Sequence, residues 1–162
     1  MFREYVSITL DWSRVNLKAL VLAGGFGTRL RPLSCTRSKM LFPVANKPLL
    51  DWTLERLAKN KTSEVVLAVN YMAEAFLQRY GDKAHGMKIH HSRDVYQAPK
   101  TATPLQGPLR TAGPIKRAEK LIGRKEPFLV MNGDILTNIN YAQLMKEHRE
   151  KRDATATIAL YR

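Results

Sequence analysis

Apolar residues in this chain fall into two alternating kinds of segment. In the first they are contiguous. Ala19-Leu20-Val21-Leu22-Ala23 and Val65-Val66-Leu67-Ala68-Val69 are unbroken, and residues 127–131 are nearly so. A short unbroken run predicts a strand buried on both faces, as in a parallel sheet. In the second kind apolar residues recur every three or four positions. Leu50, Leu54, Leu57 and Ala58 lay one stripe along residues 49–59, which predicts an amphipathic helix. The pattern further predicts strands at 87–91 and 154–160, and helices at 73–80, 111–122 and 140–152. Gly81 and Gly123 stop the helices at 73–80 and 111–122, and Pro114 falls in the first turn of the second. Pro99, Pro104, Gly107 and Pro108 mark residues 95–109 as a loop.

Strands alternating with helices predict an α/β fold with a mainly parallel sheet. Ligands of such sheets bind outside the carboxyl ends of the strands. Gly24–Gly27 and Asn132–Asp134 each follow a strand directly, so both are expected at that edge. Residues 1–16 have no period, no unbroken apolar stretch and no small-residue cleavage site. They predict an irregular N-terminal extension rather than a signal peptide, followed by a domain over 17–162.

Composition narrows the function. The chain has 162 residues, 27 of them Lys or Arg and 14 Asp or Glu, a formal charge of +13. Its apolar fraction of 44 % is that of a globular domain and excludes a disordered polyelectrolyte. A single cysteine, Cys35, excludes an internal disulfide and a multi-cysteine zinc site. No apolar run approaches a membrane span, so a cytoplasmic protein with no membrane partner is expected. The excess of cations implies an anionic partner, either nucleic acid or small phosphates. Nucleic acid is the weaker expectation, because neither a helix-turn-helix nor an aromatic stacking platform is present. His90 and His91 are adjacent, so on a strand they face opposite ways and cannot chelate together.

The charge is placed unevenly. From Gly24 to Lys47 five basic residues (Arg29, Arg31, Arg37, Lys39 and Lys47) meet no acidic one. From Gly81 to Lys125 ten basic residues face three acidic ones, and Lys116, Arg117 and Lys120 there read as an exposed helix face. The first stretch opens on Gly24-Gly25-Phe26-Gly27-Thr28-Arg29 immediately after a buried strand. Glycines there let backbone N–H groups converge and let a bulky anion approach. Two known phosphate-binding patterns do not fit. Leu30 stands where the dinucleotide fingerprint requires its third glycine, and no Lys-Ser/Thr pair follows a suitable glycine.

The longer string is more specific. Leu22-Ala23-Gly24-Gly25-Phe26-Gly27-Thr28-Arg29-Leu30-Arg31-Pro32-Leu33, then Ser38-Lys39, then Phe42-Pro43-Val44 and Asn46-Lys47-Pro48-Leu49, resembles the sugar-phosphate nucleotidyltransferases. Pro108-Leu109-Arg110-Thr111-Ala112-Gly113 and Val130-Met131-Asn132-Gly133-Asp134 resemble two further segments of that family. The resemblance covers about residues 17–160. It implies a Rossmann-like sheet flanked by helices. It also implies a reaction in which a sugar-1-phosphate oxygen attacks the α-phosphorus of a nucleoside triphosphate and pyrophosphate leaves.

Such a displacement needs in-line positioning and neutralised charge more than a general base. The resemblance assigns Arg29 to the triphosphate, where a guanidinium forks onto two phosphate oxygens, and Lys39 to the reacting phosphates. Ala23, Gly24, Gly25, Gly27 and Thr28 would line the nucleotide, and Thr111, Ala112 and Gly113 the base edge. Asp134 would hold Mg²⁺, or alternatively cap the following helix. Lys47 would either serve the site or close a turn.

Beyond Ser38, three features depart from the family pattern. Arg110 stands where a glycine is usual, and Ser38 precedes Lys39 where many members have proline. The Pro-rich 95–109 segment is an addition, read either as a lid or specificity loop or as a tolerated insertion. The third departure is length, since members continue well beyond Arg162. The expectation is therefore a truncated nucleotide-binding half of an enzyme. A further segment or a partner chain would supply the sugar-binding residues. A non-catalytic binding subunit is the alternative.

Overall fold

A computed structural model describes residues 17–93, 112–151 and 153–160. The N-terminal extension, the whole 95–109 loop, Arg110 and Thr111 lie outside the described residues.

The unbroken apolar runs form the centre of one sheet. β1 (Leu17–Leu22) lies between β4 (Thr62–Val69) and β7 (Leu129–Asn132), parallel to both. β6 (Met87–Arg93) pairs parallel with β4 on its far side, and β5 (Lys83–Ala84) closes that edge antiparallel to β6. The sheet order is β5-β6-β4-β1-β7. The expected mainly parallel sheet is therefore present.

Because side chains alternate along a strand, the two faces of β1 and β4 feed two different cores. Ala19, Val21, Val65, Leu67 and Val69 face one way. There they meet Leu50, Leu54 and Leu57 of α1 (Leu49–Lys59), Phe76 of α2 (Ala73–Tyr80), and Tyr141 and Met145 of α5 (Tyr141–Glu150). Leu20, Val66 and Ala68 face the other way and meet Ala118 and Ile122. These flank and end α4 (Glu119–Ile122), which follows α3 (Ala112–Arg117). Continuous apolar runs were required because both faces are covered.

The elements agree with the sequence pattern in most places. The predicted 111–122 helix is broken at Ala118, which is fully buried on the Leu20–Val66 face. Gly123 ends it at φ 88°, its N–H donating to Glu119 O at 2.9 Å. Asn140 caps α5, its side-chain oxygen accepting from Gln143 N. His90 and His91 do face apart: Nε2 of His90 lies 3.3 Å from Glu64, and Nε2 of His91 lies 2.7 Å from Gly81 O.

One expected element is not formed. Residues 154–160 are not a strand. A strand exists through hydrogen bonds to a neighbour. This segment instead runs beside a cleft of about 1040 Å³ that it shares with β7 and α5. Ile158 and Leu160 are 76 % and 84 % exposed in consequence. An element the pattern did not predict is the two-stranded ribbon of β2 (Pro43–Val44) and β3 (Lys47–Pro48), turned by Ala45 and Asn46 at φ 49° and 65°. Positive φ at both central residues is the geometry of a tight hairpin turn.

Candidate active site

The carboxyl ends of β1 and β7 are neighbours, with Leu22 opposite Asn132. The glycine loop and the Asn132-Gly133-Asp134 turn therefore leave the sheet side by side. Ala23 continues the β1 ladder, its N–H donating to Ala68 O at 2.8 Å, and Gly133 N–H donates to Leu22 O at 3.0 Å. Gly133 is buried at a close crossing. A Cβ there would lie 3.1 Å from Val21 Cγ1, 3.2 Å from Met40 Sδ and 3.4 Å from Leu22 O. The absence of a side chain lets the turn settle onto β1, and that places Asp134.

The glycine loop is folded back on itself. Gly27 adopts φ 62° and starts a single 3-10 turn over Thr28–Leu30. Ser34, buried in the returning limb, donates its hydroxyl to Gly27 O at 2.8 Å. A Cβ on Gly27 would meet Ser34 Cβ at 3.2 Å and Lys39 Cβ at 3.4 Å. Gly27 thus needs both the left-handed backbone and the missing side chain. The contact also seats the loop directly on Lys39.

Lys39 is flanked by Ser38 and Met40, both buried, which leaves its own side chain to project. Its ammonium donates to the Asp134 carboxylate. Three segments that are remote in sequence thus meet in one place: the glycine loop, Ser38-Lys39 and the Asn-Gly-Asp turn. Thr28 and Arg29 are exposed on the same loop, and among the described residues the Arg29 guanidinium has no ion-pair partner. Gly25 is exposed, with open space where a Cβ would sit. Ala112 and Gly113 form the first turn of α3, and they make no hydrogen bond to the glycine loop among the described residues.

The nucleotidyl transferase sequence profile matches residues 18–162, nearly the whole chain. The chain belongs to the nucleotidyl transferase family. Its similarity to mannose-1-phosphate guanylyltransferases is extensive. It is 40 % identical over 136 residues to the catalytic subunit beta of Dictyostelium discoideum, covering 82 % of this chain and 34 % of that protein. A mannose-1-phosphate guanyltransferase of Aspergillus fumigatus is 38 % identical over 141 residues, covering 85 % of this chain and 35 % of that protein. Among solved structures, HddC of Yersinia pseudotuberculosis in complex with GMP-PN superposes with a TM-score of 0.65 at 26 % identity, covering 81 % of this chain and 53 % of that one. A glucose-1-phosphate thymidylyltransferase from Bacillus anthracis shares the fold, with a TM-score of 0.68 at 18 % identity and coverage of 84 % and 51 %. The chain spans about a third of the length of the curated relatives it matches.

Two polar residues of this nucleotidyl transferase chain support the site without having been singled out by the motif. Thr53 is buried in α1 and donates to Gly133 O at 3.2 Å, so the helix holds the turn from beneath. Its signal was available: it is a polar residue in the apolar stripe of 50, 54 and 57. Tyr71 donates to Ser34 O at 2.9 Å and Cys35 O at 3.1 Å. It lies in a connection, where periodicity is silent.

Lys47 is engaged away from Asp134. Its ammonium sits 3.5 Å over the Trp52 ring centroid and pairs with Glu55. The hydrogen bond from Lys47 holds the Glu55 carboxyl below its usual range. Trp52 in turn donates to Val44 O at 2.9 Å. In the structure Lys47 ties the β2–β3 ribbon to α1.

Among the described residues no group of three or more His, Cys, Asp or Glu could cage a metal ion. Asp134 is a single carboxylate, 31 % exposed, beside the glycine loop. This suits Mg²⁺, which is commonly held by one or two carboxylates together with substrate phosphates and water.

Proposed function

We propose that this chain forms the nucleotide-binding part of a sugar-1-phosphate nucleotidyltransferase, with GTP as the nucleotide and mannose-1-phosphate as the acceptor. The observation that carries the reading is the meeting of Lys39 with Asp134 directly against Gly27. It joins a fixed cation, a metal-type carboxylate and an anion-accepting loop. The choice of GTP and mannose rests on relatives at 38–40 % identity that are named mannose-1-phosphate guanylyl- or guanyltransferases.

In this reading the backbone N–H of Gly27 and the Thr28 hydroxyl receive the triphosphate, and Gly24 and Gly25 lie near the base and ribose. Arg29 forks onto the pyrophosphate that will leave. Lys39 moves from Asp134 to the reacting phosphates and neutralises charge there as the sugar-phosphate oxygen attacks the α-phosphorus. Ala23, Thr111, Ala112 and Gly113 border the base. Asp134, released by Lys39, is the carboxylate that would hold Mg²⁺. Bound there, the ion would stabilise the developing charge on the phosphates.

The test is thermal unfolding of the chain with Mg²⁺ and each of the four common nucleoside triphosphates. GTP at a hundred times its dissociation constant stabilises by about 2.7 kcal/mol. That gain is expected for GTP in the wild type and is absent in an Arg29→Ala, Asp134→Ala double variant. Equal shifts in wild type and double variant would reject the site. Pyrophosphate release with mannose-1-phosphate added then tests turnover by the same comparison.

A further inference from the structure

The glycine loop is held from outside as well as from within. Tyr71 follows Asn70 at the carboxyl end of β4, and the next residue, Met72, adopts a left-handed φ of 55° before α2 begins. A non-glycine residue in that conformation is disfavoured, so the surrounding contacts fix this turn. Its outcome is that Tyr71 reaches across the end of β1 to the returning limb of the loop. The phenol carries one proton, and the carbonyls of Ser34 and Cys35, at 2.9 and 3.1 Å, share it. The same ring packs on Phe26 at the start of the loop, with centroids 5.3 Å apart and planes at 47°. Tilted pairs at this spacing are attractive beyond their buried area.

One side chain therefore grips both limbs of the segment 26–35. Between these grips lie Gly27, Thr28 and Arg29, the groups that face the triphosphate in the reading above. Within the loop, the Ser34 hydroxyl bond to Gly27 O ties the returning limb to the first glycine. A shift of Ser34 is thus transmitted to the amides of Gly27 and Thr28.

We infer that Tyr71 is a positioning residue for triphosphate binding: it straps the loop to the end of β4 and sets the loop's phosphate-facing groups before the nucleotide arrives. This rests on the triphosphate reading. A loop already in its binding form binds more tightly than one that must be selected from an open ensemble, by the fraction preformed.

The experiment uses two conservative variants. Tyr71→Phe keeps the ring and removes the hydroxyl. Phe26→Leu removes the ring pair and keeps the hydroxyl. Calorimetric titration with GTP and with inorganic tripolyphosphate, both with Mg²⁺, is run at a temperature where circular dichroism shows each variant folded. Tyr71→Phe is expected to weaken both ligands by the same factor, roughly two- to tenfold, the range of one net hydrogen bond. Phe26→Leu is expected to weaken both in the same direction. Trypsin supplies a readout without ligand, because Arg29 and Arg37 are exposed in and just beyond the loop. Cleavage after these residues is expected to quicken by a similar factor in Tyr71→Phe. A Tyr71→Phe protein that melts lower yet binds GTP and tripolyphosphate as the wild type does would overturn the positioning role and leave only a structural one. A wild type that binds neither ligand would reject the triphosphate reading itself, and the positioning role with it.

Discussion

Lys39 and Asp134 are separated by 95 positions, and the ammonium of one donates to the carboxylate of the other. Their side chains are 30 % and 31 % exposed, so water screens the pair and its worth to the fold is under ~1 kcal/mol. Its worth to binding is different in the proposed reading, in which a phosphate replaces Asp134 on Lys39 and a metal ion replaces Lys39 on Asp134. Lys39→Met and Asp134→Asn are each expected to change unfolding free energy by less than ~1 kcal/mol. Both should abolish the GTP-dependent rise in melting temperature. A double-mutant cycle in urea giving several kcal/mol of coupling would contradict this division of roles.

Gly133 and Gly25 make opposite predictions. A Cβ on Gly133 would press on Val21, Met40 and the Leu22 carbonyl, so Gly133→Ala is expected to destabilise by roughly 1–3 kcal/mol. A Cβ on Gly25 meets nothing within 4 Å, so Gly25→Ala is expected to change stability by less than ~0.5 kcal/mol. Gly25→Ala should nonetheless weaken GTP, because the proposed reading brings the nucleotide into the open space at Gly25. Urea denaturation and nucleotide titration of both variants check the contrast. Equal stability of the two would sink it.

Thr53 holds the same turn from below. Thr53→Val leaves Gly133 O without its buried donor, at a cost of about 1–3 kcal/mol. Thr53→Ser retains the hydroxyl and is expected to recover part of the loss. If valine proves as stable as threonine, the bond is not what fixes the turn.

Acid stability is linked to Glu64. Partial burial raises its pKa, but hydrogen bonds with Lys18 and His90 outweigh this, and the net shift is downward from 4.5. A carboxylate with a depressed folded pKa adds stability that is present above its unfolded value. That stability is lost as pH falls through the folded value. Wild-type stability should therefore decline below about pH 4.5, and Glu64→Gln should decline less steeply there while being slightly less stable at pH 7. Parallel pH profiles for the two proteins would refute this. The difference at neutral pH is expected to stay under ~1 kcal/mol, since the side chain is 24 % exposed.

Several features were legible in the residues. Unbroken apolar runs marked β1 and β4 because a strand covered on both faces has no polar side to show. The stripe of Leu50, Leu54 and Leu57 marked α1 for the complementary reason. The glycine loop, Ser38-Lys39 and Asn132-Gly133-Asp134 were visible as motifs, and two of them were correctly expected at one sheet edge. The 154–160 segment misled because its composition suits a strand, whereas a strand also requires a neighbour to bond. The β2–β3 ribbon was missed because its strands are too short to carry a period.

By itself the sequence determined the layering of the fold, the parallel sheet and the chemical types gathered near its edge. These follow from local pattern, which one stretch of chain carries alone. The tertiary structure decided which groups touch. It placed Lys39 on Asp134 and against Gly27. It assigned Lys47 to Trp52 and Glu55, and it brought Thr53 and Tyr71 to the turn and the loop. Such pairings depend on how strands 40 to 110 residues apart settle side by side, and on close contacts such as that of Gly133 on Val21. Except for Lys47, whose partner Glu55 lies eight residues away, no window of sequence holds both partners, so only the packed sheet could choose them.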